Sequence, residues 1–145
     1  LDETFIHATP EQVFDFFEHM DENYLRWHPD HKLFRWEEGR GLREGVVFYF
    51  EEMIGGQRMK KRVVFTRLVA NRHIEFAFTN RALRLILPRL VFRIEPEGEG
   101  LRFIAEISIR TGPIGAWLNR REFNAVRQHM KEEGENLKRL LETNS

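Results

Sequence analysis

Between residues 31 and 111 the sequence alternates stretches of β-branched and aromatic residues with turn residues, and it then changes to a helical repeat. The strand-forming stretches are 31–37, 45–54, 57–70, 73–79, 83–95 and 101–111. Turn signals at 39–45, Gly55-Gly56, Asn71-Arg72 and 96–100 are short enough for hairpins, so a largely antiparallel sheet is expected. Pro88 weakens part of the 83–95 stretch, because proline cannot donate to a ladder. From about 114 to 141, Phe123, Val126, Met130, Leu137, Leu140 and Leu141 recur on one side of a helix. That helix is long enough to cover one apolar face of the sheet.

The N-terminal segment completes the pattern. Residues 4–8 read as a short strand, and Thr9-Pro10-Glu11-Gln12 follows as an N-cap, a proline at the first helical position and Gln at N3. Val13, Phe14, Phe16, Phe17 and Met20 give the ensuing helix a broad apolar face, and a second helical turn over 21–26 ends before Pro29. The expected class is therefore α+β. A curved antiparallel sheet wraps a long C-terminal helix, two short helices follow the first strand, and a cavity lies between sheet and helix. No repeat or linker divides residues 1–145, so one domain is expected. This order, with its Thr9-Pro10-Glu11-Gln12-Val13-Phe14 start and terminal amphipathic helix, resembles the helix-grip superfamily of START-like and polyketide-cyclase-like (SRPBCC) proteins. The resemblance spans essentially the whole chain; its members range from lipid carriers to hydrolases.

Composition narrows the partners. The 23 basic and 23 acidic side chains cancel, which argues against nucleic acid. No apolar run approaches the roughly 18 residues of a membrane span, and Leu1-Asp2-Glu3-Thr4 lacks the basic and apolar regions of a signal peptide. With no cysteine there is neither a disulfide nor a thiolate metal site, which fits a reducing compartment. A cytoplasmic location is expected, and any metal must use His, Asp or Glu. No sequence feature specifies an oligomeric state. The 13 phenylalanines suit a core or a cavity wall that takes a small hydrophobic or aromatic ligand.

Three segments carry residues able to do chemistry. On the long helix, His129 and Glu133 are spaced i and i+4, which sets an imidazole beside a carboxylate. Glu133 falls within the stripe of Val126, Met130, Leu137 and Leu140, and a buried carboxylate needs a partner. The plainer alternative is a partly solvated pair at the stripe's margin. The segment Tyr24-Leu25-Arg26-Trp27-His28-Pro29-Asp30-His31 adds two imidazoles. His28, before proline, is held extended, so its ring should point differently from that of His31 and one of the two is the better ligand. Two exposed histidines are the plainer alternative. In 46–52, alternation puts Phe48, Phe50 and Glu52 on one face and Val47, Tyr49 and Glu51 on the other. Glu52 points inward if the Phe face lines the cavity, and a bulge would exchange it with Glu51. Two His and two Glu from these segments could converge on zinc or a similar divalent ion, which imidazole and carboxylate bind well. With an exchangeable position, such an ion supports hydrolysis without a Ser or Cys nucleophile.

The remaining features read more plainly. Phe76, Phe78, Phe92 and Phe103 should line the cavity with Phe48 and Phe50, faced by Val126 and Met130 from the helix. Met59-Lys60-Lys61-Arg62 reads as a solvated edge strand that discourages aggregation, with an anion site as the alternative. Arg81, Arg84, Arg89 and Arg93 could sit at a cavity mouth or simply face outward. His7, His19 and His73 have no partner pattern.

Trp27-His28-Pro29-Asp30-His31, the Glu51-Glu52 strand followed by Ile54-Gly55-Gly56, and His129 with Glu133 together resemble the diacetylphloroglucinol hydrolase branch of the superfamily. That resemblance implies zinc bound by two His and two Glu, and cleavage of a carbon–carbon bond between an aromatic ring and an acetyl group. It implies His31 (rival His28), Glu52 (rival Glu51), His129 and Glu133 as ligands. A tyrosine hydroxyl would then bind a phenolic oxygen. Tyr24, close to the histidine segment, is the better candidate, since Tyr49 lies on the face opposite Glu52. The expected function is a metal-dependent hydrolase of small aromatic or polyketide-like ketones. The alternatives are a non-catalytic carrier of a hydrophobic ligand and an interaction module.

Overall fold

The computed structural model describes residues 2–108 and 120–143, without the side chains of residues 86 and 120–123. Strand β1 (Asp2–Ile6) leads into α1 (Pro10–Glu18) and α2 (Met20–Trp27). Then come β2 (His31–Glu38), β3 (Val47–Ile54), β4 (Gln57–Val69) and β5 (His73–Phe78). A short helix α3 (Arg81–Ile86) precedes β6 (Arg89–Glu97) and β7 (Gly100–Ser108), and helix α4 (Arg120–Thr143) ends the chain. The seven strands form one sheet in the order β1-β7-β6-β5-β4-β3-β2, every pair antiparallel. This is the expected α+β arrangement of a curved sheet closed over one long helix. Of the expected strand and helix ends, 109–111 and 114–119 lie outside the described residues, as does the side chain of Phe123.

Local chemistry sets the boundaries. The Thr9 hydroxyl accepts from the Gln12 backbone N–H at 3.2 Å, and the Gln12 side chain accepts from the Thr9 N–H at 2.8 Å, the reciprocal cap expected of this sequence. Gly55 and Gly56 both have positive φ (60° and 80°), which lets the β3–β4 hairpin turn in two residues. A Cβ on Gly55 would lie 3.3 Å from the Ala125 Cβ, so its lack of a side chain also lets α4 lie close over this hairpin. Further along, Gly134 faces Thr4 of β1. Helix α4 therefore reaches from the β3–β4 end of the sheet to the β1 edge, and Leu137 is fully buried beneath it.

Two expectations require correction. The 83–95 stretch is not one strand: the Asn80 side chain accepts from the backbone N–H groups of Ala82 and Leu83 at 2.9 and 3.1 Å, capping α3, and β6 starts after Pro88. Nor is Met59–Arg62 on an edge. Strand β4 lies between β3 and β5, and the true edges are β1 and β2. Lys61 pairs with Phe50, and alternation with buried Val63 and Phe65 turns its side chain inward.

Candidate functional site

Strand β2 carries an irregularity that decides the site. Phe34 and Trp36 stand opposite Phe50 and Phe48 on the inner face, and strict alternation would turn residue 32 inward and residue 31 out. Between His31 and Leu33 the register shifts, so His31 pairs with Glu52 and both side chains point inward. Met53 donates its N–H to the Asp30 carbonyl at 2.8 Å and His31 donates to the His28 carbonyl at 3.0 Å, which pins the bulged segment. From the other side, the Trp27 indole N–H donates to the Glu133 carbonyl at 2.9 Å and ties α2 to α4. His129 and Glu133, one helical turn apart, thereby face His31 and Glu52.

These four side chains meet through single atoms. Nε2 of His31 lies 2.9 Å from Oε2 of Glu133, 3.2 Å from Nε2 of His129 and 3.5 Å from Oε2 of Glu52. Nε2 of His129 lies 3.1 Å from Oε2 of Glu52 and 3.3 Å from Oε2 of Glu133. Nδ1 of His31 donates to the Tyr24 carbonyl at 2.8 Å, so in the neutral ring Nε2 presents a lone pair to the cluster. Two carboxylates and two imidazole nitrogens thus converge at the same point, which requires a proton or a metal ion among them. Tetrahedral ligands at about 2.0–2.2 Å from zinc stand roughly 3.4 Å apart, close to the separations seen. Neither glutamate has a Lys or Arg partner within 4 Å among the described residues.

The electrostatics follow from burial and proximity. Burial disfavours the His129 cation, but hydrogen bonds to Glu133 and Glu52 outweigh it and push the imidazole up to about 10. Glu133 is likewise disfavoured as an anion by burial, yet the hydrogen bond from His129 and the neighbouring His31 ring hold it below the usual carboxylate range. The Tyr24 ring stacks on that of His31, centroids 3.9 Å apart, and its hydroxyl donates to Oε2 of Glu52 at 3.2 Å. Burial, reinforced by the negative charge of Glu52 and Glu133, raises the Tyr24 hydroxyl far above its ordinary range and keeps it protonated.

The rivals sit elsewhere. His28 is buried but engaged: its Nδ1 accepts from the Asp30 N–H at 2.9 Å and its Nε2 donates to Glu132 at 2.8 Å. With Asp30, His129 and Glu132 it forms a second, more exposed grouping. Glu51 points away from the cluster and accepts from the Tyr49 hydroxyl at 2.7 Å and from Arg58 at 2.6 Å. Of the plainer alternatives, exposed histidines do not describe the fold, since His28, His31 and His129 are all buried.

The cluster forms part of the wall of an apolar cavity of about 400 Å³. Phe48, Phe50, Phe76, Phe78, Phe92, Val126 and Met130 line it, joined by Leu83 and Leu87 from α3 and its C-terminal end, a stretch expected from the sequence to be a strand. Phe103 does not line it: its ring is tilted against Phe92 at 5.2 Å and stacked on Phe17 of α1 at 6.1 Å. Lys61 and Glu106 are further polar wall residues; the sequence alone suggests a solvated edge for Lys61, with an anion site as the alternative, and does not single out Glu106. The signal for Lys61 was present in its period-2 spacing with Val63 and Phe65.

A sheet gripping a terminal helix over such a cavity defines the helix-grip class. The chain belongs to the family described as polyketide cyclase / dehydrase and lipid transport, whose model matches residues 2–142. No curated protein matches the chain in sequence. Among solved structures it is similar to TTHA0849 from Thermus thermophilus, with TM-score 0.74 and 17% identity over 99% of this chain and 97% of that one. It is also similar to the di-domain ARO/CYC StfQ of the steffimycin biosynthetic pathway, with TM-score 0.76 and 15% identity over 99% of this chain and 50% of that one. The major latex-like protein 151 of Panax ginseng shares the fold at TM-score 0.68 and 13% identity, covering 97% and 94% of the two chains. Among the described residues no helix is long and apolar enough to cross a membrane.

Proposed function

We propose that the protein takes a small aromatic or polyketide-like ketone into the cavity, holds zinc or a similar divalent ion on His31, Glu52, His129 and Glu133, and hydrolyses the ketone. The observation that carries this reading is the convergence of four lone-pair-bearing atoms, all within 4.8 Å of one another, at the wall of a largely apolar cavity. A divalent ion there would supply Lewis acidity towards a ligand carbonyl. The chain's own residues supply the rest. The apolar rings exclude bulk water and orient the ligand, and the Tyr24 hydroxyl, kept protonated, offers a hydrogen bond to a ligand oxygen. Glu52 and Glu133, as carboxylates, would balance the charge of such an ion. In the net reaction, water gives its hydroxyl to the acyl carbon and its proton to the ring carbon as the aryl–acyl bond breaks, with no change of oxidation state overall. The resemblance of the His28–His31, Glu51–Glu52 and His129–Glu133 segments to diacetylphloroglucinol hydrolases supports this substrate class. Absence of cysteine supports a cytoplasmic setting.

A second reading is a carrier of a small hydrophobic ligand. It is favoured by the extent of the apolar wall and by the fact that the His–Glu cluster can satisfy itself with protons alone. Zinc titration of metal-free protein and of Glu133→Ala, followed by a screen of acylated phenols, separates the two. The hydrolase reading expects tight zinc binding that is abolished in Glu133→Ala, and zinc-dependent release of acetate. If zinc binding is unchanged in the variant and apolar ligands stabilise the protein equally with and without chelator, the carrier reading stands instead.

A further inference from the structure

Most polar groups on the cavity wall have partners. Glu52, His129 and Glu133 belong to the cluster, and Glu106 accepts from Arg93. Lys61 is the exception. Among the described residues it is the one lysine or arginine on the wall, and its ammonium has no hydrogen bond or ion pair there. Its ammonium lies 5.8 Å from the centre of the Phe78 ring, with Phe50 opposite on β3. Lys61 is half-buried and its ammonium's one contact is with the Phe78 ring, so it keeps donors free for a ligand in the cavity. Consistent with that, burial lowers the Lys61 pKa, and the charge of Glu52 offsets this only in part.

We propose that Lys61 is an anion anchor: it binds an ionised oxygen, carboxylate, phenolate or enolate, of a ring-shaped ligand whose apolar body fills the cavity. This rests on the reading of the cavity as a small-ligand site, but not on the metal. The substrate class narrows accordingly, to aromatic or polyketide-like compounds that carry an acidic oxygen. An ammonium suits this role because it is a compact charge on a flexible stem, able to follow ligands of different shape.

The test compares 2-naphthoate with its neutral, near-isosteric amide, 2-naphthamide, by calorimetry on wild type, Lys61→Met and Lys61→Arg, with and without chelator. A charge-assisted hydrogen bond supports a loss of about tenfold or more in 2-naphthoate affinity for Lys61→Met. 2-Naphthamide should change by less than about twofold, Lys61→Arg should retain most of the preference, and chelator should have no effect. On wild type, the Lys61 CεH₂ resonance should move further with 2-naphthoate than with 2-naphthamide, whose ring current alone reaches it, which avoids reliance on a variant's folding. Equal 2-naphthoate affinity in wild type and Lys61→Met, or a resonance that moves no further with 2-naphthoate than with 2-naphthamide, overturns the anchor and leaves the cavity reading intact. Affinity that falls with chelator but not in Lys61→Met places the anion on the His–Glu cluster and also overturns it. If neither probe binds wild type, the cavity reading fails and takes the anchor with it.

Discussion

Raising the pH of metal-free protein should weaken the His–Glu cluster, chiefly through His129. His129 is pushed from 6.5 to about 10 because Glu133 and Glu52 accept from it, despite the opposing effect of burial. A folded-state value above the unfolded one stabilises fully below pH 6.5 and loses that stabilisation as the pH rises towards 10. At about 1.4 kcal/mol per unit, the whole window corresponds to at most about 5 kcal/mol. His129 and Glu133 titrate as a pair, so this contribution is counted once. The burial-lowered Lys61 works in the opposite direction over the alkaline range, so the wild-type slope alone is not diagnostic. The assay is urea denaturation in chelator across the window, with His129→Gln alongside. The difference in stability between wild type and His129→Gln should shrink by several kcal/mol as the pH rises. Parallel curves, or a difference that grows, would refute the assignment of the proton to this cluster.

Further consequences follow from the same geometry. Zinc must displace the proton on His129, so its apparent affinity should rise by about tenfold per pH unit from near neutrality towards pH 10, as read by competition with a chromophoric chelator. Tyr24→Phe removes the hydrogen bond to Glu52 and should cost about 1 kcal/mol in urea denaturation; in the hydrolase reading it also lowers kcat. Gly100→Ala sets a Cβ 2.3 Å from the Ile6 carbonyl oxygen where β7 meets β1, and should destabilise by about 1–3 kcal/mol without changing zinc binding.

Much of the fold was legible because it depends on local chemistry. The Thr9–Gln12 cap, the Gly55-Gly56 hairpin and the alternation that turns Glu52 inward each depend on a few adjacent residues. The amphipathic stripe likewise located α4 and the His129–Glu133 pair. What escaped was long-range. The run 59–62 suits a solvated edge, because nothing in it tells which strands flank it; the sheet order puts β4 inside. The inward turn of His31 depends on a one-residue bulge, invisible to a period-2 count, and the resemblance rather than alternation pointed to it. Helix α3 is hard to see in the sequence because Leu83, Leu85 and Leu87 suit a strand as well as a helix, and the Asn80 cap is its one local marker. Phe103 has the same chemistry as Phe92; its packing against Phe17 and Phe92, which both line the cavity, is a long-range matter that no local pattern shows.

The central claim, that His31, Glu52, His129 and Glu133 form a metal site, is tested most directly by elemental analysis of freshly purified, untagged protein beside His129→Ala. About one zinc per chain in wild type, lost in the variant while thermal unfolding remains cooperative, is the predicted result. No metal in either protein, even after zinc is supplied, would contradict it.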